Sequence, residues 1–297
     1  MMNKETIEIA FKNIQNDICN QLSEVDGINF QEDLWTRPGG GGGRTRVIKG
    51  NHIEKGGVNF SAVNGETPGK ILSALNLEKS NFYATGVSIV LHPKNPLVPI
   101  IHMNIRYFEM NNGIWWFGGG IDLTPHFINK KQAQFFHKEL YSTCNRYHNE
   151  FYSKFKKWAD DYFYIPHRKE TRGVGGIFFD RLNEQNCSLN KETIFEFVKA
   201  VGNTFAPTYT SILKENKDLP FNEDQKNWQY IRRSRYAEFN LVYDKGTKFG
   251  LETDGRIESI LMSMPPQANW LYNYQASEIE QQTLDLLKKD IDWLNIC

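Results

Sequence analysis

GVSIVLHPKNPLVPIIHMNIRYFEMNNGIWWFGGGIDLTPHF, residues 86–127, decides the fold. Its first run alternates: Ser88, Val90 and His92 fall on one side and Val87, Ile89 and Leu91 on the other, which is the period of a β-strand. Pro93, Asn95, Pro96 and Pro99 end that run and force a loop. The alternation then resumes, with His102, Asn104 and Arg106 on one face and Ile101, Met103, Ile105 and Tyr107 on the other. A third run, residues 114–117, closes in Gly118-Gly119-Gly120 and reaches Asp122. Paired as a long-looped hairpin, the first two runs bring Ser88, His92, His102, Asn104 and Arg106 into one polar patch. A half-buried strand spends three successive positions of a face on His, Asn and Arg only where that face meets something polar, either bulk water or a ligand. The Pro-rich loop, the glycines at a strand end and the crowding of titratable groups favour a binding face over a merely solvated one.

Outward from this stretch, Ile7, Phe11, Ile14, Ile18 and Leu22 are spaced for an amphipathic helix over residues 3–23. Five glycines from Gly39 resemble a phosphate loop, but they end in Gly43-Arg44-Thr45 without the G-K-[ST] such a loop needs, and are read as a loop between strands. Strands are expected at residues 34–36, 45–49 and 58–63, and a short helix at 68–77. After Pro125 the period changes to helical over residues 130–164, in two helices or one bent one. Residues 173–180 return to strand. Asn190 caps a helix carrying Ile194, Phe197, Val198 and Val201, which Pro207 should kink or interrupt. A helix over 223–233, three strand-like runs at 236–243, 249–251 and 257–262, and a terminal helix over 277–296 complete the reading. There is no repeat and no compositional break. The expectation is one α+β domain over residues 1–297, a large mostly antiparallel sheet flanked by helices on both faces.

Composition narrows the function. The chain has 297 residues, 13% aromatic and 24% charged, enough for a sizeable core and too apolar for disorder. A formal net charge of zero argues against nucleic acid as the main partner. Four widely spaced cysteines without a C-x-x-C pair, a charged start without an apolar core segment, and the lack of any ~20-residue apolar run predict reduced thiols, no secretory signal, no membrane span and a cytoplasmic protein.

Seven histidines occur, none in a local metal spacing. His52, His126 and His148 read as structural, while His92, His102, His137 and His167 stand near the polar face, the glycines or a helix end. Arg106, Arg168, Arg172 and Arg256 lie near strands or glycine turns and suit bidentate carboxylate recognition, with exposed salt bridging as the alternative. The cluster Arg232, Arg233 and Arg235 reads as a solvated helix face. Asp122 either caps the following helix or faces a ligand. A Ser88, His102 and Asp122 triad lacks the G-x-S-x-G elbow.

HPKNPLVPIIHMNIRYFE, WWFGGGIDLTP, YFYIPHRKETRGVGGIFFD and RRSRYAEFNLVYDKGTKFGLETDGRIESILMSMPP, with GGGGGRTRVIKG and EKGGVNFSAV, resemble the oxygen-dependent coproporphyrinogen III oxidases over about residues 35–270. The resemblance implies a homodimer, built partly from residues 236–271, that converts two propionates of coproporphyrinogen III to vinyl groups with dioxygen as electron acceptor. It implies no flavin, haem, iron–sulfur or nicotinamide cofactor. Carried over by position, His102, Asp122 and Arg106 would be catalytic, with His102 a proton donor and Asp122 meeting the pyrrole nitrogens. Ser88, Asn104, Ile105, Arg106, Arg172, Asp254, Gly255 and Arg256 would contact substrate, Arg106 and Arg172 through propionates. His92, His102, His137 and His167 would hold a divalent metal whose catalytic role stays open. The residues agree: a flexible apolar macrocycle with four carboxylates explains Trp115, Trp116, Phe117 and the arginines, and its electron-rich rings can activate oxygen themselves. A non-catalytic tetrapyrrole carrier and a histidine-metal hydrolase are the rival classes.

Overall fold

The computed structural model describes residues 2–296 apart from 68, 70, 71, 73–77, 253 and 254, with Phe249 described by its backbone alone. Seven strands pair antiparallel throughout: β1 (Gln31–Thr36), β2 (Gly41–Ile48), β3 (Ile53–Glu66), β4 (Asn81–Pro93), β5 (Ile100–Met110), β6 (Trp115–Thr124) and, after an excursion, β9 (Gly176–Leu182) beside β6. A two-stranded ribbon, β7 (Tyr164–Ile165) and β8 (Glu170–Thr171), lies in that excursion.

The alternation of β4 and β5 divides the molecule. Val87, Ile89, Leu91, Ile101, Met103, Ile105 and Tyr107 are all fully buried in the main core. Each such aliphatic side chain stabilises the fold by roughly 1.5–3 kcal/mol. That core is closed by α1 (Lys4–Asp26), α2 (Lys130–Asn145) and α4 (Lys191–Asn216), whose Ile7, Phe11, Ile14, Phe136, Phe197, Val201 and Phe205 are buried against the sheet. α1 starts at Asn3, whose side chain accepts from the Thr6 amide, and stops at Gly27 with φ 81°. α3 (Phe151–Tyr162) follows α2 as a separate helix and packs on β9.

On the other face of the sheet lie α5 (Glu223–Val242) and α7 (Ile257–Leu261), whose Ser259 meets Thr45 and Asn59; α6 (Lys245–Glu252) packs against these two helices, and α8 (Glu278–Leu286) follows. Tyr236 of α5 packs with Val90 and Ile100. Met262 lies against Gly57, where an added Cβ would sit 2.1 Å from its sulfur. Sheet and helices thus form the expected α+β arrangement with helices on both faces.

Several expected elements change. The strand-like runs after Tyr236 are helical: α5 continues through Val242, and α6 and α7 replace the other two. Arg232 and Arg233 of α5 are buried, bridging to Glu170 at 2.9 Å and Glu54 at 2.6 Å, so this is no solvated face. α4 runs unbroken through Pro207. Glycines 41–43 belong to β2 rather than to a loop. The terminal helix ends at Leu286, and the chain beyond it carries Trp293 into the core. The expected helix at 68–77 falls largely outside the described residues.

Candidate active site

Cross-strand pairing lays the polar face out in rows about 7 Å apart, two residues of strand rise each. One row reads Gly57, Val90, His102, Asp122, Gly176 across β3, β4, β5, β6 and β9. The next reads Thr45, Asn59, Ser88, Asn104, Gly120, Phe178 across β2 to β9. The third reads Gly43, Ser61, Gly86, Arg106, Gly118. Ser88, His102, Asn104 and Arg106 are half-buried, so they line an accessible wall. Gly86, Gly118 and Gly120 leave the floor between them flat. Beyond the third row the same face turns apolar: Phe108 stacks on Trp116 at 4.2 Å and on Phe82 at 5.9 Å between ring centroids. At the β9 end Phe178 stacks on Tyr162 at 4.2 Å.

His102 Nδ1 lies 2.7 Å from Asp122 Oδ1. An ionised carboxylate only accepts, so Nδ1 carries the proton and Nε2 is left to take or give one. Behind it, Arg172 Nη2 donates to Asp122 Oδ2 at 2.6 Å and Nη1 donates to Asn240 Oδ1 at 2.8 Å. The guanidinium is enclosed by the rings of Phe163, Tyr236 and Phe239, its Cζ 4.3–4.8 Å from their centroids. Asp122 and Arg172 are each 2% exposed. Burial alone would raise the Asp122 carboxyl, but Arg172 and His102 beside it hold it below the ordinary carboxylate range. Asp122 caps no helix, since Asn129 caps the one that follows. It is a buried anion bound to His102 on one oxygen and Arg172 on the other.

Arg106 is the opposite case. It extends over Gly118, where an added Cβ would lie 2.8 Å from the guanidinium, and donates to Asn104 Oδ1 and to Asp180 Oδ1, both at 2.7 Å. Its side chain and that of Asp180 are each 36% exposed.

Residues 6–293 of the chain, which include this wall, match the family model described as coproporphyrinogen III oxidase. The chain belongs to the coproporphyrinogen III oxidase family. It is 44% identical to the oxygen-dependent coproporphyrinogen-III oxidase, chloroplastic, of Glycine max, across 97% of this chain and 78% of that protein. The protein of the same name from Hordeum vulgare is 44% identical over 98% of this chain and 80% of its own. Coproporphyrinogen-III oxidase 1, chloroplastic, of Arabidopsis thaliana is 44% identical over 97% and 78%.

Within this family member, Ser88, His102, Asn104 and Arg106 come together on the open wall. Arg172 stands behind the wall with both arms occupied, so it does not present itself to a propionate. Ile105 turns its side chain into the helical core and meets the wall only with its backbone. Trp115 and Phe117 also face the core side, leaving Trp116 alone of the three on the site face. Asp254 lies outside the described residues. Gly255 spends its amide on Gly250 O, and Arg256 reaches Thr45, Ser259 and Asp33 at the β2 end of the second row.

The four histidines expected to share a metal do not fit one. His92 is buried with Nε2 on Ser263 O, and the neighbouring charges of Arg233 and Arg172 oppose a further cation. His137 packs on the other side of the sheet, with Nδ1 at Tyr152 OH, Nε2 at Val174 O and its ring on Trp293. His167 is held by Tyr243 and Glu238. Among the described residues no three His, Cys, Asp or Glu side chains gather around a common point.

Sequence reasoning missed Asp180 and Asn240. Asp180 ends the GIFFD run and carries no signal of its own there. Asn240 falls in the run 236–243, whose alternation reads as a strand and hides its helical alignment with Tyr236.

Proposed function

We propose that the chain carries out the oxygen-dependent oxidative decarboxylation of two propionate side chains of coproporphyrinogen III to vinyl groups, giving protoporphyrinogen IX and carbon dioxide. The observation that carries this reading is the wall itself: a cationic Arg106, an oriented His102 and a glycine floor between aromatic flanks, in a chain of this family. Each event breaks the bond to the carboxyl carbon and removes one hydrogen from the carbon next to the pyrrole. The carbon dioxide leaves, and the two electrons pass with two protons to dioxygen, reducing it to the level of hydrogen peroxide. The pyrrole rings are electron-rich, so the substrate can supply those electrons without a flavin, haem, iron–sulfur or nicotinamide group.

The protein's part is positioning, charge and proton transfer. Arg106 receives a propionate with its planar fork. Ser88 and Asn104 flank the same carboxylate. Nε2 of His102 holds or moves the proton. Asp122 places a negative charge beneath the ring as electrons leave it, and keeps His102 in one tautomer. Phe108, Trp116 and Phe178 give the apolar macrocycle its flanks.

A homodimer belongs to the same proposal. Leu241, Ile257, Leu261, Trp270 and Leu271 offer exposed apolar area around α5 to α7, whereas Met262 is used internally on Gly57. Sedimentation at micromolar concentration should give a dimer mass, and a monomer would refute this part. A cytoplasmic setting is supported by three thiols, Cys19, Cys144 and Cys187, that are free. Among the described residues no helix is long and apolar enough to cross a membrane. Cell fractionation would test the location.

The decisive experiment is turnover of coproporphyrinogen III with and without oxygen, with no S-adenosylmethionine, flavin or nicotinamide added. Protoporphyrinogen IX should form only aerobically. Equal anaerobic turnover would refute the reading.

A further inference from the structure

The contact between Arg106 and Asp180 is built by more than the two side chains. β6 and β9 pair Gly119 with Phe179 and Phe117 with Leu182, so Gly118 faces two residues, Asp180 and Arg181, in a β-bulge. The extra residue resets the alternation. Phe179 and Leu182, three apart, both enter the core, while Asp180 keeps the site face that Phe178 also occupies. Arg181 adopts φ 52°, a left-handed conformation unusual outside glycine, and the Asn186 side chain donates to its carbonyl. Opposite the bulge, Gly118 leaves open the path along which the guanidinium lies. An exposed ion pair contributes little to stability, so stability does not account for a bulge, a left-handed arginine and a bare glycine arranged around this one.

We propose that Asp180 is a positioning residue that holds Arg106 flat across Gly118 in the pose that receives a substrate carboxylate; this rests on the reading of Arg106 as the propionate's partner. Of the five guanidinium N–H groups, Asn104 and Asp180 each take one, and three remain for the incoming carboxylate. Asp180 has a charge cost, because it offsets part of the attraction that Arg106 exerts on an anionic substrate. Its value lies in orientation, since a guanidinium free to swing must be immobilised each time substrate binds.

Three variants separate these effects. Asp180→Ala removes both the acceptor and the charge, and should raise KM about tenfold while kcat stays within about twofold. Asp180→Asn keeps an acceptor for Arg106 and should recover most of the affinity. Gly118→Ala leaves Asp180 intact but puts a methyl under the guanidinium, which is the movable end of a long side chain, so the chain folds and KM should again rise about tenfold. Binding is read independently of turnover from the fluorescence quenching of coproporphyrin III, the oxidised macrocycle with the same four carboxylates. Wild-type protein that neither binds coproporphyrin III nor turns over coproporphyrinogen III would overturn the proposed function and this inference with it. Active wild type with an Asp180→Ala variant that binds equally well would overturn the role of Asp180 alone. So would an Asp180→Asn variant as weak as Asp180→Ala, a Gly118→Ala variant with unchanged affinity, or losses confined to kcat.

Discussion

Asp122–Arg172 and Asp180–Arg106 are two acid–arginine pairs whose acids stand on neighbouring strands, at nearly the same separations of 2.6 and 2.7 Å. Only their surroundings differ. The first is sealed beneath three aromatic rings with both residues 2% exposed. The second has both side chains 36% exposed. Little water reaches the first pair, so each charge there depends on the other, and removing either one alone carries a large penalty. The second is screened and open, so a substrate carboxylate can share the guanidinium at little cost. On the proposed reading, the same two functional groups make a fixed support for His102 in one place and an adjustable receptor in the other.

The strongest way to break this contrast is Asp122→Ala. It strands Arg172 in an apolar enclosure and should cost about 3–5 kcal/mol in denaturant unfolding. Asp122→Asn keeps the shape and should lower kcat about ten- to a hundredfold, the worth of ~1.5–3 kcal/mol for a charge-assisted contact. Wild-type values for both would remove the closed pair from the mechanism.

Acid should attack the closed region next. Burial, reinforced by Arg233, pushes His92 down from 6.5 to about 3. His126 is lowered too, first by burial and then by Arg233. Below pH 6.5 the unfolded chain binds protons that the folded chain refuses, so stability falls as pH drops from 6.5 towards 3. His92 alone should account for about 2 kcal/mol by pH 5. His92→Gln should flatten that dependence in a urea titration series, and an unchanged slope would count against a neutral, sealed His92.

Smaller effects belong to the open pair. Arg106→Lys keeps the charge and loses the planar fork, so substrate affinity should fall about tenfold with the fold intact. Smallest of all, Asp180→Ala should change unfolding free energy by less than about 1 kcal/mol, as for other exposed pairs. A stability loss as large as that of Asp122→Ala would erase the distinction between the two.

The central strands were legible because each spends alternate residues on opposite environments. Val87, Ile89 and Leu91 against Ser88 and His92 allow only one period. α5 was not legible beyond Arg233 for the converse reason. Its buried stripe contains Arg232, Arg233 and Asn240, polar residues that hide a helical face, and Tyr236, Glu238 and Asn240 alternate enough to mimic a strand. The open wall of Ser88, His102, Asn104 and Arg106 followed directly from alternation plus register. The depth of Asp122 and Arg172 did not, because it depends on Phe163 and Phe239 arriving from distant segments. Asp180 depends on a bulge formed by Arg181, a residue whose identity gives no hint of a left-handed backbone.

The order of strands has a kinetic consequence. From β1 to β6 every strand pairs with its successor in the chain, so the meander can grow by adding one neighbour at a time. β9 alone must return across residues 125–175 to reach β6, a closure with a larger entropy penalty that local contacts do not offset. Until it docks, Asp122 lacks its pairing with Gly176, and Asp180 is absent from Arg106. Pulsed amide exchange during refolding should therefore protect β3 to β5 before β9. A chain caught short of that last step would own most of its sheet while lacking the bulge that carries Asp180.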